Sequence, residues 1–229
     1  MKKVLHTPIE AIADITDGCT IMFGGFGVSG IPATLIKALR QKGTRDITAI
    51  SNSAGGRMAD YDLSILIKNG QIKKVIASYP VYPWITSVFE EKFLKGEIEL
   101  ETTPQGTFVE RIRAGGAGIA GFYTPTGAGT IVAEGKEKRS FNGREYLLET
   151  ALTADFALIK AHQADGMGNL TYRLAARNFN PAMATAARIT IAEVDEIVEV
   201  GQLNPETIIT PGIYVHRIVK GEKYEVRFK

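Results

Sequence analysis

The sequence predicts an α/β fold, in which helices lie on both faces of an open, mainly parallel sheet, with glycine-rich loops and an added β-hairpin. Short apolar segments of strand length alternate with segments of helical pattern, and this alternation is typical of right-handed βαβ units. The predicted strands end in small and polar residues, at the edge where parallel sheets bind ligands. We see no internal boundary and expect one domain over residues 1–229.

The first half of the chain supplies a regular series of elements. Thr7, Pro8 and Glu10 form a capping box with proline at the first helical position, which predicts a short helix to about Ile15. Continuous apolar runs predict buried strands at residues 19–23, 47–51, 74–78 and 98–102. Between them, helical patterns cover residues 31–41, 63–68 and 88–94.

The second half contains more turns. Residues 115–129 are rich in glycine, and we interpret them as ordered loops. Alternating side chains at residues 139–148 flank Asn142-Gly143, a dipeptide typical of a two-residue hairpin turn. Further strands are predicted at residues 156–160, 170–173 and 189–194.

Composition excludes several classes of protein. Hydrophobic residues make up 45% of the chain and charged residues 23%, which is ordinary globular usage and argues against disorder. The 27 basic and 25 acidic residues give a net charge of +2 without a basic block, so the sequence offers no footprint for nucleic acid. The three histidines have no ligands at metal spacing, and we expect no metal site.

Cellular location is predicted from the single cysteine and the absence of an apolar leader. Cys19 lies in an apolar run, which predicts a buried structural thiol and no disulfide framework. The N-terminus lacks the pattern of a signal peptide, and no apolar stretch is long enough to span a membrane. The sequence therefore predicts a cytoplasmic protein without membrane association.

The most informative segment joins the first buried strand to a helix, and we name residues 24–30 the glycine loop. Its residues are Gly24, Gly25, Phe26, Gly27, Val28, Ser29 and Gly30. Glycine spacing within the loop matches the dinucleotide fingerprint. That fingerprint also requires an acidic residue at the end of the second strand, which here ends Ser51-Asn52, with Asp46 before it instead.

Two interpretations of the glycine loop remain open on the residues alone. Glycines let backbone N–H groups approach an anion closely, and the N-terminus of the following helix adds partial positive charge. Alternatively, the glycines only permit a tight turn from strand to helix. The first interpretation predicts an anion site at the start of this helix.

The spacing around the glycine loop resembles the signature of one of the two subunit types of the family I CoA-transferases, the α subunit. The signature places Asp17-Gly18 before the strand and Pro32 after the loop. The resemblance continues over nearly the whole chain, through residues 51–55, 103–107, 110–118, 123–127, 168–173 and 176–180. It implies a NagB/RpiA/CoA-transferase-like fold, and the tail at residues 212–225 is most similar to the succinyl-CoA:3-oxoacid subfamily.

The resemblance implies covalent catalysis by a partner chain, the β subunit. In the family, a glutamate of the β subunit attacks the acyl-CoA thioester and becomes a glutamyl-CoA thioester, which the acceptor acid resolves. A Ser-Glu-Asn-Gly-like nucleophile turn is absent from this sequence. We therefore expect no catalytic nucleophile in this chain, a β-subunit partner and an A2B2 heterotetramer. CoA and acyl-CoA are expected as substrates, without a permanently bound cofactor.

The resemblance also assigns supporting roles to particular residues. It implies that the glycine loop contacts CoA and stabilises negative charge in the active site. Asn52 and Gln105 would face the site as neutral amides, which orient a carboxylate without cancelling its charge. Without the resemblance, Asn52 would be interpreted as a turn former and Gln105 as a loop-stabilising amide.

The roles of three further segments stay open. Residues 115–118 either approach the ligand or allow close backbone packing, and packing is favoured. Residues 177–180 either bind an anion, tie down a turn through Arg177, or pack at an interface. Tyr82-Pro83-Trp84 differs from the relatives and is interpreted as a surface loop rather than a wall of the substrate pocket.

The implied reaction transfers CoA between succinyl-CoA and acetoacetate. Acetate, butyrate or 3-oxoadipate CoA-transferases are the near alternatives. A sugar-phosphate isomerase or sensor of similar fold is more remote, because no Asp/His pair that could serve as an internal base lies near the loop. A nicotinamide-dependent oxidoreductase is the third alternative.

Overall fold

A computed structural model describes residues 3–56, 61–81 and 86–222 of the chain. Its helices are α1 Pro8–Ala11, α2 Ala33–Lys42, α3 Ser64–Lys68, α4 Val88–Leu94, α5 Gln105–Ala117 and α6 Asn180–Thr185. Its strands are β1 Thr20–Phe23, β2 Ile47–Ser53, β3 Ile72–Tyr79, β4 Glu99–Thr102, β5 Gly121–Thr124, β6 Lys138–Phe141, β7 Arg144–Thr150, β8 Ala154–Asp165, β9 Leu170–Thr171, β10 Ala187–Val198 and β11 Arg217–Lys220. Short 3-10 helices cover Ile131–Ala133, Leu174–Arg177, Pro205–Thr207 and Gly212–Tyr214.

The main sheet confirms the predicted class. Its strand order is β11-β10-β8-β1-β2-β3-β4, and all neighbours in that order are parallel, while β9 pairs antiparallel with β8. The predicted hairpin is present as β6 and β7, and β5 extends it to a separate three-stranded antiparallel sheet. The sheet is therefore open and mainly parallel, as the alternation of strands and helices indicated.

Helices cover both faces of the main sheet, and each face has its own apolar cluster. On one face, strand residues such as Ile21 and Ala49 pack with α1, α2, α3 and α4. On the other, Met22 and Ile50 pack with Phe108 of α5 and with α6. Because successive strand residues alternate between these faces, each position near a strand end can be assigned to the α2 side or the α5 side.

The interpretation of residues 115–118 as a loop is wrong. Gly115 and Gly116 lie in the last turn of α5, which no sequence pattern indicated. A Cβ at Gly115 would lie 2.1 Å from the Leu152 carbonyl oxygen, and one at Gly116 would lie 2.1 Å from Thr185 Oγ1. These glycines therefore permit close packing, which was the favoured reason for their presence.

Other boundaries differ more modestly. The first helix ends at Ala11 rather than near Ile15, and the strand predicted at 170–173 has only two residues. Strands β8 and β10 have 12 residues each and run past the carboxyl end of β1. The Tyr82-Pro83-Trp84 segment lies outside the described residues.

Candidate active site

The carboxyl edge of the main sheet gathers most of the predicted site residues. The glycine loop follows β1, Asn52 lies near the end of β2, and Ser78 lies beside it near the end of β3. Gln105 begins α5, and two residues separate it from the end of β4. Parallel strands end at one edge, so these groups converge there.

The glycine loop is a tight turn. The backbone N–H groups of Phe26 and Ser29 each donate to the other residue's carbonyl oxygen at 3.0 Å, and this places Gly27 and Val28 at the tip. Gly25 and Gly30 have φ values of 124° and 70°, which favour glycine. The turn is therefore built into the loop, whatever ligand the loop contacts.

Three aromatic rings connect the glycine loop to α5. Phe26 is 49% exposed and stacks on Phe179 with ring centroids 6.4 Å apart. Phe179 in turn meets Phe108 edge-on at 5.6 Å. Phe108 lies one turn after Gln105, so the rings bring the exposed side of the loop towards the start of α5.

Asn52 is a buried amide on the α5 side of the sheet. Its side chain is on the same face as Ile50, which packs with α5. Asn52 is 2% exposed, and its Nδ2 donates to Ser78 Oγ at 2.9 Å. Its Oδ1 accepts no hydrogen bond from the described residues.

Gln105 is the first residue of α5 rather than part of a loop, and its side chain is exposed. Pro104 precedes it and supplies no side-chain cap. Among the residues that the structure describes, the N–H groups of Gln105, Gly106 and Thr107 have no acceptor. The start of α5 therefore presents unpaired donors and partial positive charge.

The start of α2 is different, and here the structure does not favour the interpretation of the glycine loop as an anion site. Glu193 of β10 accepts hydrogen bonds from the N–H groups of Thr34 at 2.8 Å and Leu35 at 3.1 Å. Glu193 is fully buried, and burial raises the pKa of its carboxyl, against the effects of Lys160 and the two N–H donors. A carboxylate of the protein itself therefore occupies the position predicted for a ligand anion.

A row of charged side chains leads from Glu193 to the surface. Lys160 Nζ lies 3.2 Å from Glu193 and 2.7 Å from Asp195, and Asp195 lies 3.1 Å from His162 Nδ1. Burial alone would raise the pKa of Asp195, but Lys160 and His162 hold it below its ordinary value. Lys160 therefore links the buried carboxylate of Glu193 to a second carboxylate at the surface.

The sequence left three interpretations of residues 177–180 open. The structure favours the second, in which a side chain ties down a turn, although the side chains are asparagines and not Arg177. Asn178 and Asn180, rather than Arg177, hydrogen-bond to the glycine loop. No periodicity or motif in the sequence marks this contact, because the partners are separated by about 150 positions along the chain.

A small, partly open pocket beside the loop is too small for a substrate. It has a volume of about 20 Å³ and is lined by Gly24, Gly25, Ser51, Ser53 and Asp62 among others. This is room for about one water molecule. A substrate does not fit in this pocket, and the exposed side of the loop carries Phe26.

Neither a metal cluster nor a membrane span is found in residues 3–56, 61–81 and 86–222. No group of His, Cys, Asp and Glu there could hold a metal ion. No helix in the same part of the chain is long and apolar enough to cross a membrane.

His216 accepts a hydrogen bond from the Thr190 N–H group, and burial lowers its pKa.

Comparison with known proteins agrees with the resemblance. The chain is 51% identical over its full length to the α subunit of succinyl-CoA:3-ketoacid coenzyme A transferase from Helicobacter pylori, covering 97% of that protein. It is 52% identical over 96% of its length to the α subunit of 3-oxoadipate CoA-transferase from Pseudomonas putida, covering 94% of it.

A solved structure and a family match extend the comparison. The acyl-CoA transferase YdiF of Escherichia coli, solved as a thioester complex with CoA, superposes with a TM-score of 0.84 at 25% identity. The match covers 96% of this chain and 47% of YdiF, so the chain spans about half of that protein. Residues 5–221 match the coenzyme A transferase family. The chain therefore belongs to the coenzyme A transferase family.

Proposed function

We propose that this chain is the α subunit of a heteromeric CoA-transferase that moves CoA from succinyl-CoA to a short 3-oxoacid, with acetoacetate as the leading acceptor. The full-length identity of 51% to an α subunit with that name supports the proposal. A 3-oxoadipate CoA-transferase is the second candidate, because the identity to the α subunit of that enzyme is 52%. Overall similarity does not separate the two acceptors.

The nucleophile is proposed to come from a β subunit. The carboxylate in contact with the start of α2, Glu193, is buried and bound by two N–H groups and Lys160. It is held in place and cannot attack a thioester on the exposed side of the loop. A glutamate from the partner would attack the acyl carbonyl and expel CoA as the thiolate, and that thiolate would then attack the resulting anhydride at the glutamyl carbonyl and release succinate. The acceptor carboxylate would attack the glutamyl-CoA thioester and expel the thiolate, which would attack the acceptor's acyl carbonyl in the new anhydride and release the glutamate.

The role of this chain is to hold and stabilise negative charge with neutral donors. The observation that carries this role is the convergence of the glycine loop, Asn52 and Gln105 at one edge of the sheet. Unpaired N–H groups at the start of α5 suit a substrate carboxylate or a developing oxyanion. Uncharged amides leave the partner's carboxylate free to react.

We further propose an assembly of two α and two β subunits, since a closed symmetric arrangement is the common solution for such pairs. CoA and its thioesters act as substrates, and no permanently bound cofactor is proposed.

The direct test is co-expression with the chain encoded next to it. We expect the purified complex to form acetoacetyl-CoA from succinyl-CoA and acetoacetate, and each chain alone to be inactive. A preference for 3-oxoadipate would select the second candidate. Activity in this chain alone, or none in a complex of confirmed assembly with either acceptor, would refute the proposal.

A further inference from the structure

Two fully buried polar side chains, Asn180 and Glu193, contact the glycine loop and the helix that follows it. Both are 0% exposed. Burying an amide and a carboxylate in an apolar domain is unfavourable unless each finds partners, so their contacts show what they hold in place.

Asn180 contacts both ends of the loop. Its Nδ2 donates to the carbonyl oxygen of Gly30 at 3.1 Å, and also to that of Ala176 at 2.9 Å. Its Oδ1 accepts from the Lys160 backbone N–H at 2.9 Å and packs directly against Gly24. One side chain therefore joins β8, α6 and the loop.

The glycines at both ends of the loop make room for this amide. A Cβ at Gly24 would lie 1.8 Å from Asn180 Oδ1, and one at Gly30 would lie 2.8 Å from Asn180 Nδ2. Asn178 adds a second link, since its Nδ2 donates to the Ser29 carbonyl oxygen at 3.1 Å. Gly24 is therefore required for packing against Asn180, and Gly30 for the same packing and for its positive φ of 70°.

Glu193 fixes the helix that the loop leads into. Its Oε2 accepts from Thr34 and Leu35, and its Oε1 lies 3.2 Å from Lys160 Nζ. Lys160 thus contacts Asn180 through its backbone and Glu193 through its side chain. We call Asn180, Lys160 and Glu193 the loop clamp.

We infer that Asn180 is a positioning residue for CoA transfer: the loop clamp fixes the glycine loop and Phe26 relative to the start of α5. Asn180 itself is buried and touches no substrate, so it acts through the backbone of the loop. The inference rests on the proposed role of the loop in the reaction. A shift of about 1 Å in a group that orients reactants can cost roughly 100-fold in rate.

The test variant is Asn180→Asp, compared with the matched control Asn204→Asp. In the first, an oxygen replaces Nδ2 and faces the carbonyl oxygens of Gly30 and Ala176 and the side-chain oxygen of Asn178. Lys160 and Glu193 are the charged groups of the clamp beside it. Asn204 is exposed and caps a 3-10 helix through Oδ1, which aspartate keeps.

In the assembled complex, we expect Asn180→Asp to lower kcat by roughly 100-fold at about pH 8, and Asn204→Asp to leave kcat unchanged. The deficit should shrink towards about pH 6, because burial and the facing oxygens raise the pKa of the new carboxyl, which donates to Gly30 once protonated. Because protonation of a buried carboxyl also restores stability, kcat is measured well below the unfolding temperature at both pH values, where a loss of stability alone would leave kcat unchanged. A folded variant with wild-type kcat and a wild-type pH profile would overturn the inference.

Hydrogen exchange gives a readout independent of activity. Peptides covering residues 24–36 should exchange faster in Asn180→Asp than in wild type, and unchanged exchange would also overturn the inference. If that variant does not fold, Glu193→Gln keeps the volume and one acceptor and should show faster exchange over the same peptides. If the wild-type complex transfers no CoA, the proposed function fails, and exchange alone decides whether the clamp holds the loop.

Discussion

Helices α2 and α5 both begin at the carboxyl edge of the sheet, yet among the described residues the first N–H groups are paired at α2 and unpaired at α5. At α2, the first N–H groups are all satisfied, by Glu193 and by nearby backbone oxygens. At α5, the described residues supply no acceptor, and Gln105 is exposed. A glycine loop before a helix therefore does not by itself make an anion site, because the protein can fill that site with its own carboxylate.

The largest effect should come from removing the internal carboxylate at α2. Glu193→Ala leaves the N–H groups of Thr34 and Leu35 buried without an acceptor and Lys160 with Asp195 as its remaining carboxylate, and should lower the free energy of unfolding by roughly 3–5 kcal/mol. Urea denaturation measures this. Glu196→Ala, on the same strand with an exposed partner, is the matched control and should change stability little. Equal stability of the two variants would show that α2 does not need its carboxylate.

Adding a carboxylate at the start of α5 should lower activity and raise stability, whereas removing the carboxylate at α2 should lower stability. Gln105→Glu should lower kcat/KM by roughly 100-fold, because the new charge repels a substrate carboxylate and takes up the N–H donors. The same charge should stabilise the helix start by roughly 0.3–1 kcal/mol. Steady-state kinetics and thermal unfolding measure the two effects. Gln202→Glu, on an exposed turn, is the control; unchanged kcat/KM in Gln105→Glu would remove α5 from the site.

A smaller loss of activity is expected from a change at Asn52, the amide on the α5 side of the sheet. Asn52→Ala removes a donor to Ser78 and the oxygen proposed to contact the substrate, and we expect kcat/KM to fall roughly 10-fold, the cost of about one hydrogen bond. Asn69→Ala loses a similar amide bond, to Gln71, away from the carboxyl edge of the sheet. If both variants lose activity equally, the effect of Asn52 is structural.

The smallest effect should come from a helix end held by a surface ion pair. Arg217 contacts Asp14 at 2.6 Å and also the carbonyl oxygen of Ala11, where α1 ends. The hydrogen bond from Arg217 holds the pKa of Asp14 below its ordinary value of 3.8. The stabilisation from the Asp14–Arg217 pair is therefore present above about pH 4 and is lost as the pH falls through the lowered pKa of Asp14.

Asp14→Asn should consequently reduce stability at neutral pH by at most roughly 1 kcal/mol, since solvent screens this exposed pair. The difference from wild type in thermal unfolding should vanish at low pH, and kcat should not change. A larger loss at low pH than at neutral pH would contradict the sign of this linkage.

Local patterns predicted most of the main sheet and the β6–β7 hairpin, because alternation, caps and the Asn142-Gly143 turn act over a few residues. They failed at residues 115–117, where high glycine density belongs to a helix packed against Leu152 and Thr185. Glycine normally disfavours a helix interior, so the reason for the helix is tertiary contact, which sequence patterns do not carry.

The candidate site, like the fold, was predictable only in part. Glycine spacing marked the glycine loop, the resemblance assigned Asn52 and Gln105, and all three lie at the carboxyl edge of the sheet. Glu193 was missed, and the role of Asn180 within the segment 177–180 was not predicted, because each acts across about 150 residues of sequence on backbone atoms. A buried acid in a strand that reads Ile-Ala-Glu-Val was the one available signal, since such an acid needs a partner.

A structure of the complex with an acyl-CoA bound would test most directly whether α5, rather than α2, receives the substrate's charge. We predict a substrate oxygen at about 3 Å from Gln105 or from an N–H group at the start of α5, with Glu193 still bound to Thr34 and Leu35. A substrate anion bound to Thr34 and Leu35, with Glu193 displaced, would contradict this assignment.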